Sequence, residues 1–315
     1  LELEIQKRKL RKIKVLKSDL FENVGEYFNV IIFNPPYLPR DKGVEDRAIY
    51  GGRKGWEISE RFFKEVSNHL FSDGMVLFLF SSLTNKQKVE QILEHNLLQW
   101  EELGEEKVSF ETLYAYKITK TPLLRQLEGK LLRNVHYFAE GKRGVVYTAQ
   151  FDRSKLVKKY FPSKSEVITA AVKVKKKESK AADAIASEVL WLKVFNKRGI
   201  GPRFLFSGEE YVAYEFVEGE YIEDWISKAA KESLKKVLIE VSEQCFILDQ
   251  LKVNKEEMHH PMKHIIIDKH GNPTLIDFER CYETEKPHNV TQFVDFVGKQ
   301  RALLVKKGFS FTLKE

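Results

Sequence analysis

The chain has 315 residues, 53 of them basic and 46 acidic, for a net charge of +7. That length accommodates two domains of ordinary size; so mild a charge permits RNA-linked or phosphorylated partners without requiring them, and direct DNA binding is not expected. Two cysteines, Cys245 and Cys281, far apart and without Cys-x-x-Cys spacing, fit a reducing cytoplasm. The longest apolar runs, such as MVLFLF at Met75 to Phe80, fall well short of the roughly 18 residues of a membrane span, so no membrane association is expected.

In chain order, the opening LELEIQKRKLRKIKVLKSD reads as the end of a basic helix feeding a strand, and a start at Leu1 suggests a piece of a longer reading frame or a fusion. Candidate strands IKVLKSD, NVIIF, GMVLFLF and TLYAYKIT alternate with candidate helices over Trp56 to Leu70 and Lys86 to Glu94, with SDG at Ser72 to Gly74 as the stop of the first helix. This alternation predicts a parallel, helix-covered α/β sheet.

Near KTPLLRQLEGK, Lys120 to Lys130, the alternation breaks, which places a boundary there. The strands VHYFAEG, GVVYTAQF and AAVKV follow, then a helix from Ala181 to Phe195, the strands RFLFSG and YVAYEFVEG, and a mainly helical remainder: an α+β unit with two lobes. The run KVKKKESK, Lys173 to Lys180, reads as a solvated loop beside a nucleotide site or as a contact for translation-linked acidic partners.

Two constellations carry chemistry. In NVIIFNPPYLP, two prolines straight after an apolar strand end it abruptly, stiffen the turn and remove two N–H donors. Asn34 offers a side-chain oxygen and Pro35 a backbone oxygen to the two hydrogens of a planar NH2 group, and the ring of Tyr37 can stack on that plane. A turn that only terminates a strand is the alternative reading.

With the following LPRDKGVEDRAIYGGRKGWEISERFF, this stretch resembles the HemK-type S-adenosylmethionine-dependent glutamine methyltransferases, whose Gly-Gly-x-x-Gly is matched by Gly51, Gly52 and Gly55. The resemblance runs from about Ile13 to Lys120. It implies a partial Rossmann-like sheet in which Asn34 and Pro35 hold a substrate amide and Tyr37 stacks on it. The family's glycine-rich cofactor loop and ribose-binding acidic residue lie upstream of the matching region. The expectation is therefore an incomplete methyltransferase domain over residues 1–122, inactive alone, with IKVLKSD lacking a neighbour and NVIIF left as an exposed edge.

The second constellation begins at FAEGKRGVVY, where Gly141 and Gly144 lie in a turn whose amides could cover phosphates. Lys173 follows in an apolar strand, Glu188 on the next helix, and Asp277 at the end of TLIDFER. Singly these read as surface charges. In order they supply a cation for phosphates, a carboxylate to hold the cation, and a carboxylate for magnesium.

From about Asn134 to Phe309 the chain resembles archaeal atypical serine/threonine kinases of the RIO and lipopolysaccharide-kinase groups, most specifically in VFNKRGIGPRFLFSGEEYVAYEFVEGEYIEDW. The resemblance implies a two-lobed kinase-like domain over residues 131–315 that takes ATP and Mg and phosphorylates a protein. Its adenine would bind backbone around Glu215 to Val217, near Phe216. NKEEMHHPMKHIII replaces the usual catalytic loop: His264 falls where a second metal-binding Asn is expected, and His259 where the Asp is expected. That leaves Glu257, with Glu256 as the alternative, for the base, and Glu279 in place of a glycine. A nucleotide-binding pseudokinase and an amide methyltransferase completed by upstream sequence stay open as alternatives.

Overall fold

The structure, a computed structural model, describes residues 2–9, 12–40, 46, 48–141, 143–153, 167–176 and 184–310. The chain divides into two units, Leu1–Tyr137 with Ala149–Val167, and Phe138–Thr148 with Ile168–Glu315.

The first unit contains α1 (Glu2–Lys7), β1 (Phe28–Phe33), α2 (Glu57–Val66), β2 (Leu70–Ser81), α3 (Lys86–His95), β3 (Leu98–Val108), β4 (Glu111–Lys120) and α4 (Pro122–Gly129). Its sheet runs β1-β2-β4-β3. β1 and β2 pair in parallel, whereas β4 is antiparallel to both β2 and β3, so the sheet is mixed and not parallel throughout. The hairpin β3–β4 explains the difference: its first strand, LQWEELGEEKV, is too polar to read as a strand from sequence, because nearly all of it is exposed. Ring contacts join the sheet to its helix, with Phe33 stacked on Phe62 at 3.8 Å and Phe63 edge-on to Phe78 at 4.9 Å.

Three local expectations are corrected. Ile13 to Lys17 form no strand, since no described strand lies beside them to complete a ladder. Ser72 to Gly74 lie inside β2; the helix before them stops at Val66 and tightens into a 3-10 turn, Ser67–His69. The stretch where the alternation breaks is itself helical: Thr121 caps α4 by accepting from the Leu124 amide at 3.2 Å, with Pro122 at the first helical position, where it loses no hydrogen bond.

The second unit's elements are β5 (Leu132–Glu140), β6 (Gly144–Asp152), β7 (Val167–Lys175), α5 (Ala184–Asn196), β8 (Phe204–Ser207), β9 (Tyr211–Glu215), β10 (Glu220–Tyr221), α6 (Ile222–Lys228), α7 (Lys231–Gln250), β11 (Val253–Lys255), β12 (Ile265–Ile267), β13 (Pro273–Leu275), β14 (Cys281–Glu283), α8 (Asn289–Lys299) and α9 (Arg301–Lys306), the division between units falling within β5 and β6. Its larger sheet runs β5-β6-β7-β9-β8, and short ribbons β10-β12-β13 and β11-β14 carry the loops that follow. Residues 181–183 of the expected helix and 177–180 of the lysine run lie outside the described residues.

Phe195, Val241, Phe278, Phe293 and Phe296 form the centre of this unit's core. A buried polar knot fixes the start of α8: Asp249 accepts from the Asn289 amide at 2.9 Å, and Asn289 accepts the Lys255 amide at 2.7 Å while donating to the Val253 carbonyl. Each buried polar atom there has a partner, which is the condition for placing it in a core. Cys245 and Cys281 are free and buried, and burial pushes both thiols up to about 12, away from reactivity.

Candidate functional site

In the first unit, the turn after β1 is gripped by the glycine motif. A Cβ on Gly51 would lie 2.4 Å from the Pro36 carbonyl oxygen, and one on Gly55, whose φ is +87°, would lie 2.5 Å from that of Tyr37. Only glycine allows so close an approach. A bridge between Leu38 and Tyr50 holds the two segments together, and buried Thr84 donates its hydroxyl to the Tyr37 carbonyl at 2.9 Å. The structure thus brings Asn34, Pro35 and Tyr37 together in one rigid turn at the carboxyl end of a parallel strand. The Asn34 side chain and the Pro35 carbonyl make no hydrogen bond among the described residues. Burial raises the Tyr37 hydroxyl pKa, which keeps the ring neutral. β1 itself is an edge strand with Val30 44% and Ile32 77% exposed.

In the second unit, three distant stretches converge on one ammonium group. From β7, the Nζ of Lys173 donates to Glu188 Oε2 of α5 at 2.6 Å, to Asp277 Oδ1 at 2.7 Å and to Glu279 Oε2 at 3.1 Å. Burial opposes the charge on Lys173, but Glu188 and Asp277 outweigh it and hold its pKa well above the usual lysine value. Burial raises Glu188, and for Asp277 it is outweighed by Lys173 and Lys255, which lower its pKa.

Asp277 adopts φ +63°, a left-handed conformation that is costly for a non-glycine residue. It is kept there by its neighbours. The fully buried Lys255 donates both to its carbonyl and to Glu257 Oε2, the latter at 2.9 Å, and Phe278 is locked in the core edge-on to Phe195 at 4.9 Å. The Phe278 ring explains the Ile-Gly-Pro turn as well, since a Cβ on Gly201 would meet it at 2.6 Å.

Carboxylate oxygens of Glu188, Asp277 and Glu279 lie within 4.8 Å of one another, a hard-oxygen donor set suited to Mg2+. The neighbouring His264 has Nδ1 3.7 Å from Asp277 Oδ2, and burial, with help from Lys255, lowers its pKa, so the imidazole is neutral and able to ligate. His259 is exposed, its Nδ1 2.6 Å from the Glu256 carbonyl oxygen. Glu256 pairs with Arg280.

Gly141 and Gly144 close the turn between β5 and β6 through an N–H to carbonyl bond of 2.9 Å, and a Cβ on Gly144 would lie 2.8 Å from the Val174 carbonyl oxygen, too close for a side chain. Glu215 and Val217 line a cleft of ≈ 580 Å³ together with Arg203, Phe216 and Asp268. The Glu215 and Phe216 amides are already bonded, to Arg203 and Thr169 carbonyls, which leaves Val217 as the backbone donor of this stretch.

Sequence reading missed Lys255 and Arg143. Lys255 ends β11, whose sequence VNK gives no apolar signal although all three residues are buried, and Arg143 sits in an ordinary hairpin turn and gives no sign either.

No family model matches the sequence. Its N-terminal region matches glutamine methyltransferases: the chain is 42% identical over 106 residues to a putative protein N5-glutamine methyltransferase of Methanocaldococcus jannaschii, covering 32% of this chain and 54% of that protein. It is 29% identical over 111 residues to the methyltransferase HEMK2 of Homo sapiens, covering 34% and 52%. The chain thus spans about half the length of these curated relatives. Among solved structures, the Rio2 kinase from Chaetomium thermophilum aligns over 74% of this chain and 76% of its own at 10% identity and a TM-score of 0.41, which leaves the phosphotransfer reading to rest on geometry.

Proposed function

We propose that the second unit is an ATP- and Mg-dependent phosphotransferase, a RIO-like serine/threonine protein kinase, within a domain spanning residues 131–315. The observation that carries this reading is the meeting of Lys173, Glu188 and Asp277 within 2.7 Å of one ammonium group. Lys173 pairs with nucleotide phosphates, Glu188 orients Lys173, and Val217 and Glu215 meet the adenine. Asp277 with His264 would hold Mg2+, which when bound neutralises charge on the transferring phosphoryl group. Glu257 orients the acceptor hydroxyl, its own carboxylate fixed by Lys255.

Autophosphorylation of the purified chain with Mg-ATP, beside Lys173→Ala and Asp277→Asn, is the test: transfer abolished in both variants supports the kinase, and transfer surviving Asp277→Asn refutes it. A nucleotide-binding pseudokinase is the second reading, favoured by the exposure of His259 where a catalytic Asp is expected. ATP bound without turnover in the wild-type chain would select it.

Within the first unit, for a domain over residues 1–122, we infer a partial protein-glutamine methyltransferase whose Asn34, Pro35 and Tyr37 hold the acceptor amide of a protein substrate, including translation-linked proteins. The 42% identity to a putative N5-glutamine methyltransferase supports the substrate class. S-adenosylmethionine titrated into this chain by calorimetry is expected to show no binding, and measurable binding would refute the reading of this unit as partial.

A further inference from the structure

Glu279 stands at the convergence of two cations from different elements. Its Oε2 accepts from Lys173 Nζ at 3.1 Å, and its Oε1 from Arg143 Nη1 at 2.6 Å. Its side chain is 9% exposed while that of Arg143 is 43% exposed, so the carboxylate is set deep and the guanidinium reaches it from the glycine turn. The turn is itself anchored: the Lys176 amide donates to the Arg143 carbonyl at 3.0 Å, and Lys176 pairs with Glu140. Asp277 and Glu188 already balance Lys173 without Glu279.

A carboxylate bridging a lysine and an arginine presents two oxygens in the geometry that these cations also offer to a phosphate group. We propose that Glu279 occupies the subsite for the phosphate chain of a nucleoside di- or triphosphate, and that Arg143 is a second phosphate-binding residue beside Lys173. The inference rests on the nucleotide-binding reading of this unit. The incoming phosphates and Glu279 compete for the same pair of cations, so Glu279 sets a threshold that a nucleotide overcomes and that adenosine, lacking phosphates, does not meet.

The sign of the effect is distinctive, because removing a site carboxylate tightens binding. ADP and adenosine are titrated in EDTA into the full chain as wild type, Glu279→Gln and Arg143→Met, with thermal melts to confirm folding. Glu279→Gln is expected to bind ADP about fivefold or more tightly, and Arg143→Met about fivefold or more weakly, as for the gain or loss of one charge-assisted contact. Adenosine binding is expected to stay within about twofold in both.

ADP binding seen only in Glu279→Gln is the extreme form of the expected result. ADP binding that Glu279→Gln leaves unchanged or weakens overturns the inference and leaves nucleotide binding standing. If none of the proteins binds either ligand, the nucleotide reading fails and this inference with it. Arg143 is exposed enough for Arg143→Met to fold, so an Arg143→Met that binds ADP as the wild type does also overturns the role assigned to Arg143.

Discussion

The two units treat their candidate sites in opposite ways. In the first, the turn proposed to hold an amide is rigid, gripped through Gly51, Gly55 and Thr84, but it follows an edge strand one face of which carries Val30 and Ile32 in the open. In the second, every charge at the site is answered by another: Lys173 by three carboxylates, Asp277 by two lysines, Glu257 by Lys255. A recognition turn needs only backbone rigidity and so is complete within one strand and one loop. Buried charges in a cluster have to balance one another, and that requires groups from several elements at once.

Predictions follow the same contrast. The largest effect is expected at the charge cluster: Lys173→Ala and Asp277→Asn should each lower phosphoryl transfer by about a thousandfold or more, as for groups acting as a unit on the transition state, measured as initial rates with radiolabelled ATP. Next comes the core beneath it. Phe278→Ala, emptying a side chain that is 1% exposed, should cost about 3–5 kcal/mol in urea unfolding of the second unit.

Gly55→Ala tests the first unit's grip, because φ +87° and the Tyr37 carbonyl leave no room for a methyl group. A loss of about 1–3 kcal/mol is expected there by denaturation followed through that unit, and no loss would show that the turn is not held this way. Ile32→Lys, at 77% exposure, should by contrast lie within about 0.5 kcal/mol of wild type; a larger loss would mean that this face of β1 is covered in solution.

The smallest effect concerns pH. Burial holds the His264 pKa below its ordinary value of 6.5, so the unfolded chain takes up this proton more readily than the folded one. The contribution of His264 to stability is present above pH 6.5 and is lost as the pH falls through its folded pKa. His264→Gln should flatten melting temperature against pH over that window, and an unchanged slope would place the imidazole in solvent.

Much of both sites was legible in the sequence because local chemistry dictated it. Two prolines after an apolar strand force a rigid turn, a lysine amid AAVKV must lie on a strand, and Asp-Phe after an apolar run must close one. Where expectation failed, a long-range partner decided. Ile13 to Lys17 are apolar enough for a strand but have no described neighbour to pair with, and the polar β3 is a strand because β4 pairs with it along its length.

Local pattern therefore determined which residue types stand at the turn, the strand lysine and the terminal aspartate. Only the tertiary structure decided that Arg143 and Lys173 share Glu279, 136 and 106 residues away in the chain, and that Lys255 holds Asp277 in a left-handed conformation. Charge pairing in a buried site is a property of distance in space, and a sequence records only distance along the chain.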